Sequence, residues 1–185
     1  ISVDSSTLMN KMFELIEAQK LFDIPDKKLE VLIHPESLVH AIIMFKNGLS
    51  KFLYHETSMI IPIANAIFNE NIRIDELITF KKQTINSLTF KKVKQEIFPI
   101  IKLKKRLNEY SSTPIILNAA NEVLVDHFLR EKIPYLSINK IIMTILNDKN
   151  YKKYAIRKNK NINQINIIDS WARSRTKEYI KINYE

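Results

Sequence analysis

Apolar residues recur at helical spacing through Leu8, Met9, Met12, Phe13, Leu15 and Ile16, directly after the hydroxyl run Ser5, Ser6, Thr7. This pattern predicts a helix that starts close to Ser5. Pro25 interrupts it, and residues 29–33 read as a short apolar strand closed by His34-Pro35. Two β-branched and apolar runs, 39–45 and 49–54, flank Lys46-Asn47-Gly48, the chain's one Asn-Gly step, and predict a hairpin. Pro62 suits a helix start, with Ile63, Ala66 and Ile67 continuing at helical spacing. Periodicity is lost over 69–93, which reads as a linker. Helical patterns resume at 95–107, 114–132 and 137–146, a charged and exposed stretch is expected at 151–160, and a last helix at 165–182 is expected to be capped by Asp169 or Ser170. The pattern predicts an α+β fold. Residues 1–68 make a small mixed or antiparallel sheet with the first helix on one face, 69–93 link, and 94–185 form a C-terminal helical bundle.

Composition narrows the function classes. With 185 residues, 45% of them hydrophobic, the chain can bury a real core. The absence of cysteine excludes disulfides and thiolate metal sites, and no signal-peptide pattern or long apolar run is present, which suits a soluble protein of a reducing compartment such as the cytosol. A single glycine rules out a glycine-rich dinucleotide-binding turn within these residues. The net charge of +9 raises the question of a polyanionic partner. The lysines are spread, however, and the basic runs at 102–106 and 151–160 lack an aromatic stacking platform, so no nucleic-acid partner is expected.

Chemistry concentrates in the first helix. At about 100° per residue, Asn10, Lys11 and Glu14 fall within one third of its circumference, close to Ser5 at its start. A hydroxyl, an amide and an ammonium at a helix N-terminus suit an anion such as phosphate, whereas the carboxylate calls for a cation. Spacing alone favours a plainer account, a capped amphipathic helix with a solvated Asn/Lys/Glu face. His34 and His40 are either a metal pair or strand-end histidines with backbone hydrogen bonds, and His55 and His127 are read as structural. Met59 reads as a packing residue. Asn118, Asn121 and Glu122, polar residues on an apolar helix with no charge cluster around them, are read as interdomain hydrogen-bonding residues.

Three strings change the weighting. SVDSSTLMNKMFELIEA at 2–18 resembles the DSATxMNKGLExIEA segment of the 1-deoxy-D-xylulose 5-phosphate reductoisomerase family; LEVLIHPESLVHAIIMF at 29–45 resembles its VxxHPQSxxHSxxxF segment; and PIILNAANEVLVDHFL at 114–129 resembles its LNAANExxVxxFL helix. The resemblance implies an NADP-dependent, divalent-metal-dependent oxidoreductase/isomerase of the non-mevalonate isoprenoid pathway. Such an enzyme rearranges 1-deoxy-D-xylulose 5-phosphate and reduces it with NADPH to 2-C-methyl-D-erythritol 4-phosphate. It further implies that Ser5, Asn10 and Lys11 bind the substrate phosphate and neighbouring hydroxyls, and that Glu14 ligates Mg²⁺ or Mn²⁺ and touches substrate. Met59 would contact the nicotinamide, and His40 would lie near the active site. The family's sheet forms a homodimer interface. Its NADPH-binding domain and two further metal carboxylates precede the matched region, so the 185 residues read as the C-terminal part of a longer enzyme, in bacterial cytoplasm or a plastid, and are expected to be inactive alone. The alternative is a non-catalytic binding or dimerisation module derived from that enzyme. Departures are Ser6 in place of Ala, His55-Glu56-Thr57-Ser58 before Met59 in place of GxPD, and Met12-Phe13 in place of Gly-Leu, which is expected to add bulk beside Lys11 and narrow the phosphate pocket.

Overall fold

The computed structural model describes residues 2–68, 73–74, 87–158 and 161–184. The chain forms two compact units, Ile1–Val31 with Val93–Glu185, and Leu32–Lys92. The first unit is helical. It contains α1 (Ser2–Thr7), α2 (Met9–Phe22), a 3₁₀ turn at Asp26–Lys28, a 3₁₀ helix at Pro99–Arg106, α4 (Thr113–Leu129), α5 (Ser137–Leu146), α6 (Tyr151–Ala155) and α7 (Ile162–Tyr184). The second unit contains β1 (Leu32–Ile33), β2 (Val39–Met44), β3 (Ser50–Tyr54), α3 (Ile60–Phe68) and β4 (Lys91–Lys92). The α+β class follows from these elements.

One buried cluster holds the helical unit together. Met9, Met12 and Leu15 of α2 share it with Ile100 and Leu103 of the 3₁₀ helix, Ile116, Leu117 and Leu124 of α4, Ile138, Ile141 and Ile142 of α5, and Ile168, Ala172 and Ile180 of α7. The first helices therefore belong with the C-terminal helices. This differs from the expected division, which placed residues 1–68 together and the first helix on the sheet. The physical reason is the apolar face of α2: Met9 and Met12 are fully buried among helices. Most of the expected linker, 69–93, lies outside the described residues.

In the second unit both ladders are antiparallel and two-stranded. β1 pairs with β4, and β2 pairs with β3 around a turn in which Phe45 N–H donates to Leu49 O (2.9 Å) and Asn47 Oδ1 accepts from Leu49 N–H (3.1 Å). Gly48 takes φ +88°, the left-handed conformation that the Asn-Gly step anticipated. The register shifts between Val39 and Ala41, placing His40 at a bulge. α3 begins before Pro62, which sits in its first turn, where an amide hydrogen is dispensable.

Elsewhere in the helical unit the elements depart from the sequence pattern in four places. The expected helix at 95–107 is a 3₁₀ helix from Pro99, entered through Phe98 at φ −121° and ψ 77°, outside the helical region that a following proline disfavours. The stretch at 151–160 is not simply exposed: Tyr151 and Ala155 are buried, and the Tyr151 hydroxyl lies 2.7 Å from Thr113 Oγ1. Burial raises the pKa of that phenol above its ordinary value. The last helix starts at Ile162, with Asn161 Oδ1 accepting from Gln164 N–H (3.0 Å); Asp169 is interior and binds Arg173. Finally, α1 starts at Ser2, ahead of the expected Ser5.

Met12 reports on the dependence of α2 on this core. We expect Met12→Ala to destabilise the chain by about 2–5 kcal/mol, because a fully buried side chain leaves a cavity. Urea or thermal denaturation of both proteins checks this; a loss under 1 kcal/mol would mean that the site collapses freely around the deletion.

Candidate functional site

The helix expected at the N-terminus is two helices, and the break lies inside the segment that carries the chemistry. Leu8 adopts φ 63°, the left-handed region, and separates α1 from α2. A leucine in that conformation costs about 1–3 kcal/mol, so it needs compensation. Leu8 N–H donates to Ser5 O (3.2 Å), the Thr7 hydroxyl oxygen accepts from Met9 N–H (3.3 Å), and Met12 N–H donates to Leu8 O (3.3 Å). Leu8 therefore occupies the N-cap position of α2, with the Thr7 hydroxyl satisfying the first amide of that helix.

The break gives α2 a helix start of its own at Met9. The first-turn amides there, including those of Asn10 and Lys11, precede any carbonyl of the same helix that they can bond. Lys11 Nζ donates to both Glu14 carboxylate oxygens, at 2.8 and 2.6 Å, and Asn10 Nδ2 donates to Glu14 Oε1 at 2.7 Å. Asn10, Lys11 and Glu14 thus meet as one cluster on α2, while Ser5 stands across the break on α1 as an exposed residue. The Lys11 and Glu14 side chains are 45% and 46% exposed, so their mutual attraction is worth little. Met12 points away from them into the core, and Phe13 packs against the same cluster. The expected bulk beside Lys11 is therefore turned inward, because neighbouring residues on a helix face about 100° apart.

His40, Met59 and the other histidines of this group lie in the second unit. The His40 and His55 rings stack at 3.7 Å, nearly parallel at 5°, and a His40 ring nitrogen lies 3.2 Å from His55 O. His34 is engaged elsewhere: its Nδ1 lies 2.9 Å from Thr89 O and 3.0 Å from Glu36 Oε2, and its ring stacks on Phe90 at 4.8 Å. The Thr89 hydroxyl holds the Glu36 carboxyl below the usual carboxylate range. His34 and His40 are thus separately occupied, each beside a backbone carbonyl as in the structural alternative. Met59 is exposed just before α3.

The hydrogen bonds of Asn118, Asn121 and Glu122 lie within the helical unit, and that of Asn121 joins the expected segments 1–68 and 94–185. Asn118 Nδ2 donates to Glu122 Oε1 (3.1 Å), and Asn121 Nδ2 donates to Asp4 Oδ1 (2.8 Å). Arg173 Nη2 reaches Glu122 Oε2 at 2.5 Å and its Nε reaches Asp169 Oδ2 at 2.7 Å, so a charge cluster does surround Glu122. Hydrogen bonds to those two carboxylates raise the Arg173 pKa further.

Among the described residues, no group of three or more His, Cys, Asp or Glu is arranged to hold a metal ion. Glu14 is a hard oxygen donor of the kind Mg²⁺ and Mn²⁺ prefer, so it fits as one ligand of a site that needs others. Among those residues, too, no helix is long and apolar enough to cross a membrane.

A model of the DXP reductoisomerase C-terminal domain matches residues 55–175. The chain belongs to that family. Among curated reductoisomerases, that of Pelagibacter ubique (strain HTCC1062) is 41% identical over 173 residues, covering 93% of this chain and 45% of that protein. The enzyme of Wolbachia sp. subsp. Brugia malayi (strain TRS) is 38% identical over 186 residues, covering 98% and 46%. The chain thus spans about half the length of the curated relatives it matches. Two crystal structures agree with the fold. A DOX-P reductoisomerase in complex with NADPH, fosmidomycin and magnesium superposes with a TM-score of 0.90 at 31% identity, over 98% of this chain and 46% of that one. The Zymomonas mobilis enzyme in complex with NADPH gives 0.83 at 30% identity, over 97% and 47%. The break at Leu8 precedes the interval matched by the DXP reductoisomerase family model, and both structures cover nearly all of the chain.

The exposed pair on α2 yields a stability expectation. Glu14→Gln should change the unfolding free energy by less than about 1 kcal/mol, since exposed pairs contribute little and Gln keeps helix propensity. Chemical denaturation measures it; a loss above 2 kcal/mol would make Glu14 a structural residue.

Proposed function

We propose that the protein containing this chain is an NADP-dependent reductoisomerase that converts 1-deoxy-D-xylulose 5-phosphate to 2-C-methyl-D-erythritol 4-phosphate with a divalent metal, Mg²⁺ or Mn²⁺. The observation that carries this reading is the cluster of Asn10, Lys11 and Glu14 at the start of α2, directly after the left-handed break. Family membership and the NADPH and magnesium complexes of the neighbouring structures support it. A cytoplasmic, homodimeric enzyme accords with the same reading, as do a nicotinamide contact from Met59 and a supporting place for His40.

In this reading Lys11 supplies the charge that binds the phosphate, and Ser5 and Asn10 orient it together with the first-turn amides of α2. The phosphate is remote from the reacting carbons, so its binding energy positions them. A divalent metal, when bound, polarises the substrate's carbonyl and hydroxyl oxygens. Glu14 is the residue of this chain that would help hold it.

The Lys11–Glu14 contact then acts as a placeholder. An exposed ion pair is worth about 0–1 kcal/mol, whereas a hydrogen bond from an ammonium to a phosphate contributes about 1.5–3 kcal/mol. Each partner therefore gains by exchanging the other for ligand: Lys11 turns to the phosphate, and Glu14 is left as a carboxylate for the cation.

Two variants of the complete enzyme test the assignment. Lys11→Ala should weaken substrate binding roughly ten- to hundredfold, the equivalent of one charged hydrogen bond, and should affect a ligand without phosphate much less. Equal losses for both compounds would make Lys11 structural. Glu14→Gln should require a much higher Mg²⁺ or Mn²⁺ concentration for half-maximal rate, or lose the rate, at unchanged metal-free melting temperature. Normal turnover at the normal metal requirement would remove Glu14 from the metal site and leave it on a solvated helix face, whereas no turnover by the unsubstituted complete protein would favour a non-catalytic binding module.

A further inference from the structure

Ser5 is held by α1, a helix of only six residues, which is too short to define its own position. Two side-chain hydrogen bonds reach it, one from α4 and one from the turn before α5. Asn121 Nδ2 donates to Asp4 Oδ1 at 2.8 Å, and the Tyr135 hydroxyl donates to Ser6 Oγ at 3.1 Å. Asp4 and Ser6 flank Ser5 on either side in sequence. Ser6 is free to accept because its own hydroxyl hydrogen is directed at Val3 O, 2.8 Å away.

Asn121 is an unusual residue for its place. It lies in α4 between buried Ala119, Ala120, Val123 and Leu124, is itself 3% exposed, and its Oδ1 has no hydrogen-bond partner. An unsatisfied buried carbonyl costs about 1–3 kcal/mol, so an apolar residue would pack there more favourably. The bond to Asp4 is what the asparagine provides. Its amide orientation is fixed by that acceptor, since the flipped form would set two oxygens 2.8 Å apart. The Tyr135 ring is likewise fixed, edge-on to Phe128 at a centroid distance of 5.7 Å.

We propose that Asn121 and Tyr135 are positioning residues that latch α1, through Asp4 and Ser6, so that Ser5 keeps its place on the α1 side of the Leu8 break. This rests on the reading of Ser5, Asn10 and Lys11 as a phosphate clamp. Asn10 and Lys11 are placed by α2, whose Met9 and Met12 are locked in the core. Ser5 has no such anchor within α2, so one arm of the clamp depends on residues more than a hundred positions away.

The test uses the complete enzyme with Tyr135→Phe, Asn121→Asp and, as reference, Lys11→Ala. Tyr135→Phe removes a hydroxyl and keeps the ring packing; Asn121→Asp sets two carboxylates against each other. KM and kcat are measured for 1-deoxy-D-xylulose 5-phosphate, together with the inhibition constant of 1-deoxy-D-xylulose, which lacks the phosphate. Both latch variants should raise KM roughly three- to tenfold, as expected for one hydrogen bond. Their kcat should change less, and the inhibition constant of the phosphate-free sugar should hardly move. A purely structural role would lower the melting temperature and leave the preference for the phosphorylated compound intact, which would overturn the proposal. If Asn121→Asp does not fold, Tyr135→Phe decides alone. If Lys11→Ala shows the phosphate-selective loss and the latch variants do not, the latch falls and the clamp stands. If Lys11→Ala shows none, the clamp falls and the latch with it.

Discussion

The left-handed Leu8 is the constraint on which the rest of the site depends. A continuous helix over residues 2–22 would bury its polar groups in successive intrahelical bonds and carry Ser5 about one and a half turns away from Lys11. The break instead starts a second helix that carries Asn10 and Lys11 in its first turn, with fresh N–H groups there. Its conformational cost is offset locally by the bond to the Thr7 hydroxyl and by two backbone bonds of Leu8, and globally by the burial of Met9 and Met12 immediately beyond it. Each fully buried methionine contributes about 1.5–3 kcal/mol, so the two together outweigh the strain of one residue.

The basic residues of the helical unit divide by how completely their donors are used. Arg106 spends Nε on Glu109 (2.7 Å), Nη1 on Asn147 Oδ1 (2.9 Å) and Nη2 on Leu146 O (2.9 Å), and its guanidinium lies 5.4 Å from the Tyr151 ring centre. Arg173 and Arg175 each bind two carboxylates. These residues join separate elements and leave little capacity for a ligand. Among the described residues, Lys11 bonds only within its own helix, half exposed, a contact that a stronger partner displaces at small cost. The difference sets a structural cation apart from one available for binding without reference to any family.

Much of this was legible in the sequence where a local rule governs. The Asn-Gly turn, the hairpin strands and the helix at 137–146 follow from turn chemistry and periodicity, and Asn10, Lys11 and Glu14 do share one face of α2. The Leu8 break was not legible, because leucine is a good helix former and only tertiary packing overrides that preference. Nor was the pairing of Asn121 with Asp4, which spans 117 positions and leaves no local periodic signal. The hairpin faces were illegible for another reason. Met44, Phe52 and Leu53 are all exposed, so apolar alternation there does not mark a face buried within this chain.

Because α2 completes the core made by α4, α5 and α7, the segment that carries the candidate chemistry cannot be separated from the C-terminal helices. The opening residues are therefore not a tail appended to a hairpin, and the resemblance of 114–129 to a family segment acquires a physical meaning. The apolar residues of that helix share one buried cluster with those of α2, while its Asn121 turns toward α1. A substitution in α4 reaches the site by two routes that differ in kind. Loss of an apolar residue loosens α2 together with the whole unit and appears as lost stability. Loss of Asn121 removes the bond to Asp4 of α1 while the hydrophobic core keeps its apolar residues. The polar residue in the apolar helix is thus the point at which positioning of Ser5 separates from stability of the fold.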